Sequence, residues 1–173
     1  GSAFRTAYDR LVGVVERRLD SLPDPELQVR LADEGILLWG QTEYAREHQQ
    51  FIFSCRRVRA SAESKVYEEK ADIAFRQGNY KQAFDDFVQA CFSIGQITDA
   101  SYENYRSYTD LVNKVERRFY DLPTLQDSVQ WSEYVERAWH RLDQTITHPA
   151  LLEACRRVQT VNKTIQRHLH GTS

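Results

Sequence analysis

The chain has little of what marks a disordered, membrane-spanning or strongly charged protein. Its 173 residues include only seven glycines and four prolines, which excludes collagen-like and low-complexity chains. No stretch approaches the roughly 18 consecutive apolar residues of a membrane-spanning helix, so we predict no membrane insertion. The formal net charge is −2, and a nearly neutral chain lacks the basic excess typical of nucleic-acid binding. We therefore predict a folded protein with no nucleic-acid partner.

Residues that could carry chemistry are also sparse. The three cysteines, Cys55, Cys91 and Cys155, are odd in number and lack CxxC spacing. This pattern argues against a disulfide framework or a zinc site and favours a reduced, cytoplasmic compartment. The sequence contains no HExxH, P-loop, GxGxxG or GxSxG motif. We predict a non-enzymatic protein with no catalytic residues, no metal site and no cofactor.

Methionine is absent altogether, and the chain begins Gly1-Ser2. Such an opening is typical of the remnant left when a tag is cleaved. We therefore expect the chain to be a segment of a larger protein.

The most informative feature is an internal repeat at an offset of 100 residues. Residues 8–23 read YDRLVGVVERRLDSLP, and residues 108–123 read YTDLVNKVERRFYDLP. Over 8–65 and 108–165, 16 of the 58 aligned positions are identical without a gap. Repetition at a long fixed period is typical of stacked structural units, so we predict an internal duplication of 100 residues.

The apolar residues of each copy recur with helical spacing. In the first segment one apolar stripe is formed by Phe4, Tyr8, Leu11, Val12, Val15, Leu19 and Leu22. Pro23 and Pro123 should end these first helices, and Asp24 and Thr124 should cap the next ones.

Two further helices follow in each copy. Second helices are expected at about 25–47 and 125–146, and third helices from about 49 and 149. Short connections make neighbouring helices antiparallel. The predicted fold is therefore all-α, with tandem antiparallel helical bundles.

The segment between the copies reads KADIAFRQGNYKQAFDDFVQA over residues 70–90. It resembles a tetratricopeptide (TPR) helical hairpin, with the turn at Gly78-Asn79, and microtubule-interacting-and-transport (MIT) hairpins are similar. A helical hairpin of no particular family is the alternative. We divide the chain into a first three-helix unit at 3–65, the hairpin at 66–97 and a second three-helix unit at 98–171.

The period of three helices in about 100 residues also resembles the tandem units of spectrin repeats. Spectrin repeats share a continuous helix across each junction, whereas 95–101 has the composition of a break. Trp39 and Trp139 lie in the second helix here, while spectrin repeats usually carry this tryptophan in the first. A continuous helix at 95–101 would favour a structural spacer, and a sharp turn would favour a binding groove.

Arginine pairs recur at equivalent positions of the two copies. Glu16-Arg17-Arg18 is repeated as Glu116-Arg117-Arg118, and Arg56-Arg57 as Arg156-Arg157. One interpretation is an ion pair in each bundle between the glutamate and an arginine of the third helix. The other is an arginine patch that binds an acidic peptide or phosphate.

Aromatic residues cluster near the hairpin. Tyr102, Tyr105 and Tyr108 are spaced by three and should share a helical stripe beside Phe84 and Phe87. Packing within the hairpin is one interpretation of this cluster, and an exposed docking surface is the other, since tyrosine and tryptophan are common at interface hot spots.

These observations lead to two functional hypotheses. The first is a protein–protein interaction or scaffold module that binds a helix or extended peptide in a groove between 64–93 and 98–121. The second is a spectrin-like spacer that sets the length between binding domains. Self-association of the chain stays open. The candidate partner-binding residues are Tyr80, Phe84, Phe87, Tyr102, Tyr105, Arg17, Arg18, Arg117 and Arg118.

Overall fold

The computed structural model describes residues 2–40, 49–98, 102–142 and 148–171, except for the side chains of Trp39 and Tyr102. Within these ranges the chain forms seven helices and no strand. The helices are α1 (Ser2–Asp20), α2 (Pro25–Gly40), α3 (Gln49–Arg76), α4 (Tyr80–Gly95), α5 (Tyr102–Tyr120), α6 (Leu125–Leu142) and α7 (Ala150–Leu169). The predicted all-α fold class is confirmed. Among the described residues, no helix combines the length and apolar character that crossing a membrane requires.

Local sequence explains where several helices begin. Before α2, Oδ1 of Asp24 accepts a hydrogen bond of 3.0 Å from the amide of Glu26. Before α6, Oγ1 of Thr124 accepts one of 3.0 Å from the amide of Asp127. Both bonds satisfy an amide that lacks a partner in the first helical turn, so the predicted capping roles of Asp24 and Thr124 are confirmed.

The turn between α3 and α4 is also local in origin. Gly78 has a φ of +77°, a conformation that costs glycine little because it has no Cβ. Asn79 then caps α4 by accepting a hydrogen bond of 3.4 Å from the amide of Gln82. The predicted Gly78-Asn79 turn is confirmed.

The chain divides into two compact units, Gly1–Val66 and Tyr67–Ser173. The division falls inside α3, so this helix contributes residues to both units. The predicted hairpin at 66–97 is grouped with α5, α6 and α7 in one unit rather than standing between two units. We refer to residues 1–66 as the first unit and to residues 67–173 as the second unit.

The first unit has a small core. Its buried apolar side chains are Val12, Ala32, Ile52, Cys55, Val58 and Ala62. At the end of α1, Nε2 of Gln28 donates a hydrogen bond of 2.7 Å to the carbonyl of Leu19. Large apolar side chains remain on the surface of this unit, among them Phe4, Leu11, Leu37, Leu38 and Phe53.

The second unit has a larger and more aromatic core. Its largest fully buried side chains include Trp139, Tyr108, Phe84, Phe87 and Phe119. Phe84, near the start of α4, lies against Phe119 at the end of α5, while Gly95 at the end of α4 faces the Tyr108 ring. The two helices therefore run in opposite directions.

The junction after α4 contains a turn. The helix ends at Gly95, and residues 96–98 are not α-helical. Residues 99–101 lie outside the described ranges. An uninterrupted α-helix across 95–101 is thus excluded by the turn at 96–98.

Candidate functional site

Two of the predicted partner-binding residues belong to the core. Phe84 and Phe87 have no exposed surface. The Phe84 ring stacks on Phe119 with centroids 5.1 Å apart and on Trp131 at 5.6 Å. The prediction that Phe84 and Phe87 line an open groove is wrong in this structure, because core side chains from three helices fill that space.

The predicted tyrosines are not brought together. Tyr80 is half-buried and contacts Phe75 and Trp131 edge-on, with ring centroids 5.3 and 6.4 Å apart. Tyr105 is exposed on α5. Tyr102 begins α5, and its side chain lies outside the described part of the chain. Tyr80 is therefore a packing residue, and only Tyr105 is shown to face solvent.

The conserved spacing of glutamate and arginine between the copies produces matching ion pairs. In the first unit the Glu16 carboxylate contacts Arg57, and the hydroxyl of Ser54 donates a hydrogen bond of 2.8 Å to the same carboxylate. In the second unit Arg157 donates from Nε and Nη2 to Glu116 at 2.9–3.1 Å. The predicted ion pairs between the glutamates and third-helix arginines are confirmed.

The predicted arginines of α1 and α5 differ in their surroundings. Arg118 lies 3.8 Å from Asp72 and 3.1 Å from Asp121, and its guanidinium lies over the Phe75 ring at 5.6 Å. Arg117 is exposed. Arg17 and Arg18 are exposed, and neither forms an ion pair with any residue that the structure describes. Arg18 thus lacks the acidic contact that its counterpart Arg118 makes.

A lysine joins α3 to α5 inside the second unit. Nζ of Lys114 donates hydrogen bonds of 2.9 Å to Glu68 and 2.6 Å to Asp72. All three side chains are about one-third exposed or less. The charge-assisted bonds hold the second half of α3 against α5.

An exposed stripe on α1, apolar except for one arginine, is the feature that sequence reasoning missed. Phe4, Ala7, Leu11, Val14 and Arg18 follow one another at spacings of three and four residues, which places them on one side of the helix. All five are exposed. We call these five residues the α1 strip.

The helical spacing places Phe4 and Leu11 on the same apolar stripe as Val12. In the structure Val12 is buried, while Leu11 is 59% exposed and Phe4 75%. The spacing of the α1 strip is readable from the sequence, but its exposure is not. Phe4 and Leu11 are therefore surface residues, because no described residue of the first unit covers this side of α1.

The buried thiols do not form a reactive site. Burial raises the pKa of Cys155 to about 12 and also raises the pKa of Cys55 and Cys91. A thiol reacts as its thiolate, so burial in apolar surroundings suppresses its reactivity. Among the described residues, no group of three His, Cys, Asp or Glu side chains is placed to hold a metal ion.

No protein-family model, no curated protein and no solved structure matches this chain.

Proposed function

We propose that the chain is a non-enzymatic protein–protein interaction module, built from two related helical segments, that binds a helix of another protein through the α1 strip. One observation carries this proposal. Leu11 is 59% exposed in the first unit, whereas its counterpart Leu111 is 5% exposed in the second. Exposed contiguous apolar surface is typical of interaction sites.

Matching geometry in the two units supports the duplication on which this comparison depends. The helix α1 spans Ser2–Asp20, and α5 spans Tyr102–Tyr120. After each helix, a side chain of the next one bonds back to an equivalent carbonyl: Gln28 to Leu19, and Ser128 to Phe119. The ion pairs Glu16–Arg57 and Glu116–Arg157 are a third correspondence.

The two units differ in what covers their matched helices. In the second unit, α4 packs on α5 and α6 through Phe84, and the second half of α3 packs on α5 through Lys114. No described residue of the first unit makes the corresponding contact with the α1 strip. The α1 strip therefore has the apolar side chains of a helix–helix contact, but no helix of the first unit packs on it. This favours a partner protein that binds there.

A spectrin-like spacer is the second candidate function. Its support is α3, whose 28 residues belong to both compact units, as the shared helices of spectrin repeats do. A spacer needs no binding surface of its own, so it leaves the exposure of the α1 strip unexplained.

Affinity capture tests the interaction module. The full chain and a Leu11→Asp/Val14→Asp variant would be immobilised and exposed to the same cell extract. The matched control is Val161→Asp/Ile165→Asp, which changes exposed apolar residues of α7. We expect the wild type and the control to retain one or more proteins that the Leu11→Asp/Val14→Asp variant does not retain. Identical retention by all three chains would contradict a binding role for the strip and favour the spacer.

A further inference from the structure

The contact between α3 and α5 shows how the second unit covers the side of α5 that corresponds to the α1 strip. Lys114 bonds to Glu68 and Asp72, and Arg118 lies against Asp72 and Phe75. Lys114 contacts α3 at residues 68 and 72, and Arg118, one turn later in α5, contacts α3 at residues 72 and 75. The two helices therefore run parallel, and a carboxylate of α3 lies beside the α5 arginine.

The α1 strip keeps part of this arrangement. At the 100-residue offset, Leu11 corresponds to Leu111 and Arg18 to Arg118, while Val14 takes the place of Lys114. Val14 is 38% exposed, and Arg18 has no ion pair among the described residues. A helix that covered the α1 strip in the same way would contact Val14 at the position where Glu68 of α3 contacts Lys114. It would contact Arg18 at the position where Asp72 of α3 contacts Arg118.

The charge around the strip also selects an acidic partner. The acidic Glu16 and Asp20 of α1 are both engaged by Arg57. Asp9 is the remaining acidic residue of α1, and its position places it on the opposite side of the helix from the strip. Arg10 and Arg17 flank the strip, Arg18 belongs to it, and none of the three forms an ion pair within the described ranges. A surface with this excess of positive charge attracts carboxylates and repels basic segments.

We infer that the α1 strip binds an acidic amphipathic helix that runs parallel to α1, with an apolar side chain opposite Val14 and a carboxylate opposite Arg18. This inference rests on the proposed function and names the chemistry of the partner. The apolar contacts with Leu11 and Val14 supply most of the affinity, and the carboxylate at Arg18 sets register and direction.

The exposed apolar stripe of α7 in a second copy of this chain does not have that chemistry. It consists of Val161, Ile165 and Leu169. That stretch carries Lys163 and Arg167 and contains no carboxylate after Glu153. It would place positive charge against the arginines of α1.

Peptides derived from α3 are the direct probe, because α3 supplies the contact that the partner is expected to imitate. The peptides span residues 60–75, which end before Arg76 so that the Glu68→Leu peptide keeps a net negative charge. They are labelled with a fluorophore and comprise the natural sequence, a Glu68→Leu version and a Glu68→Leu/Asp72→Asn version. Binding to the full chain is measured by fluorescence anisotropy at low salt. The chain is used as wild type, Leu11→Asp, Arg18→Gln and, as the matched control, Ile165→Asp.

We expect the Glu68→Leu peptide to bind more tightly than the natural peptide, because leucine faces Val14. Replacing Asp72 in the same peptide should weaken binding about three- to tenfold. With Arg18→Gln that difference should vanish, and Leu11→Asp should abolish binding while Ile165→Asp leaves it unchanged. Circular dichroism of each variant would verify that the helices persist.

Several outcomes would overturn the inference. The first is that no peptide binds, or that binding does not depend on Arg18 and Asp72. If capture from extract still depended on Leu11, the interaction function would stand and only the acidic-helix partner would fail. Sedimentation of the chain alone as a dimer that Leu11→Asp dissociates would assign the strip to a second copy. Binding to anionic phosphatidylserine vesicles that Leu11→Asp abolishes, without peptide binding, would assign it to a lipid surface.

Discussion

The ring of Phe84 lies almost parallel to the ring of Phe119, with centroids 5.1 Å apart and 16° between the planes. Phe84 belongs to α4 and Phe119 to α5, and Trp131 of α6 stacks on Phe84 from another side. Three helices of the second unit therefore meet at one fully buried aromatic side chain. This contact explains why the hairpin helix α4 is part of the second unit.

Removing this ring should destabilise the second unit severely. We expect Phe84→Ala to lower the free energy of unfolding by about 3–5 kcal/mol, because it leaves a cavity among rings that cannot close around it. Urea unfolding followed by tryptophan fluorescence would measure the change. The matched control is Phe53→Ala, since Phe53 is 54% exposed and its loss should cost under about 0.5 kcal/mol. Equal losses for the two variants would show that Phe84 is not a core residue.

Lys114 should stabilise the contact between α3 and α5. In Lys114→Met the alkyl chain is kept, but Glu68 and Asp72 lose their shared cation. We expect a loss of about 1–2 kcal/mol, between the values for exposed and buried ion pairs. The loss should shrink as salt is added, because screening weakens the interaction that was removed. Lys163→Met on α7 provides the control, and an equal effect there would refute a special role for Lys114.

Two glycines should respond in opposite directions to replacement by alanine. A Cβ at Gly13 would meet only the flexible end of Arg17, 3.3 Å away, so Gly13→Ala should stabilise α1 by about 0.5–1 kcal/mol through helix propensity. Gly78 has a positive φ, and Gly78→Ala should destabilise the turn by about 1–2 kcal/mol. Thermal unfolding of both variants would measure the two shifts. A fall in melting temperature for Gly13→Ala would contradict the geometry of α1.

The buried thiol of Cys155 should make stability fall at alkaline pH. Burial raises its pKa from 9.0 to about 12, so the folded chain keeps the thiol proton that the unfolded chain loses above about pH 9. The stabilisation is complete below about pH 9 and should decline between about pH 9 and 12, by up to about 1.4 kcal/mol per pH unit. Urea unfolding across this range would measure the slope.

The control for this pH effect is Cys155→Ala, which has no thiol to titrate at that position. Its stability is expected to be lower at neutral pH because of the lost packing, but to decline less steeply as the pH rises. If the two slopes were identical, Cys155 would not be the group that titrates.

Local chemistry explains most of what could be predicted. The helix starts follow from Asp24 and Thr124, whose side chains satisfy amides within a few residues. The turn at Gly78 follows from the backbone freedom of glycine. The ion pairs of Glu16 and Glu116 were also accessible, because both copies keep the glutamate and an arginine at the same separation. The candidate site could not be predicted from the sequence. Leu11 and Leu111 occupy equivalent positions of the two copies, but Leu11 is exposed and Leu111 is buried.

The sequence by itself determined that the chain is helical and where several helices begin and turn. Only the tertiary structure decided that Phe84 is buried, that α3 contributes to both compact units and that the α1 strip is exposed. The physical reason is the separation along the chain over which each interaction acts. Capping, turns and apolar periodicity act over a few residues, whereas burial of a helix face depends on which distant segment packs against it.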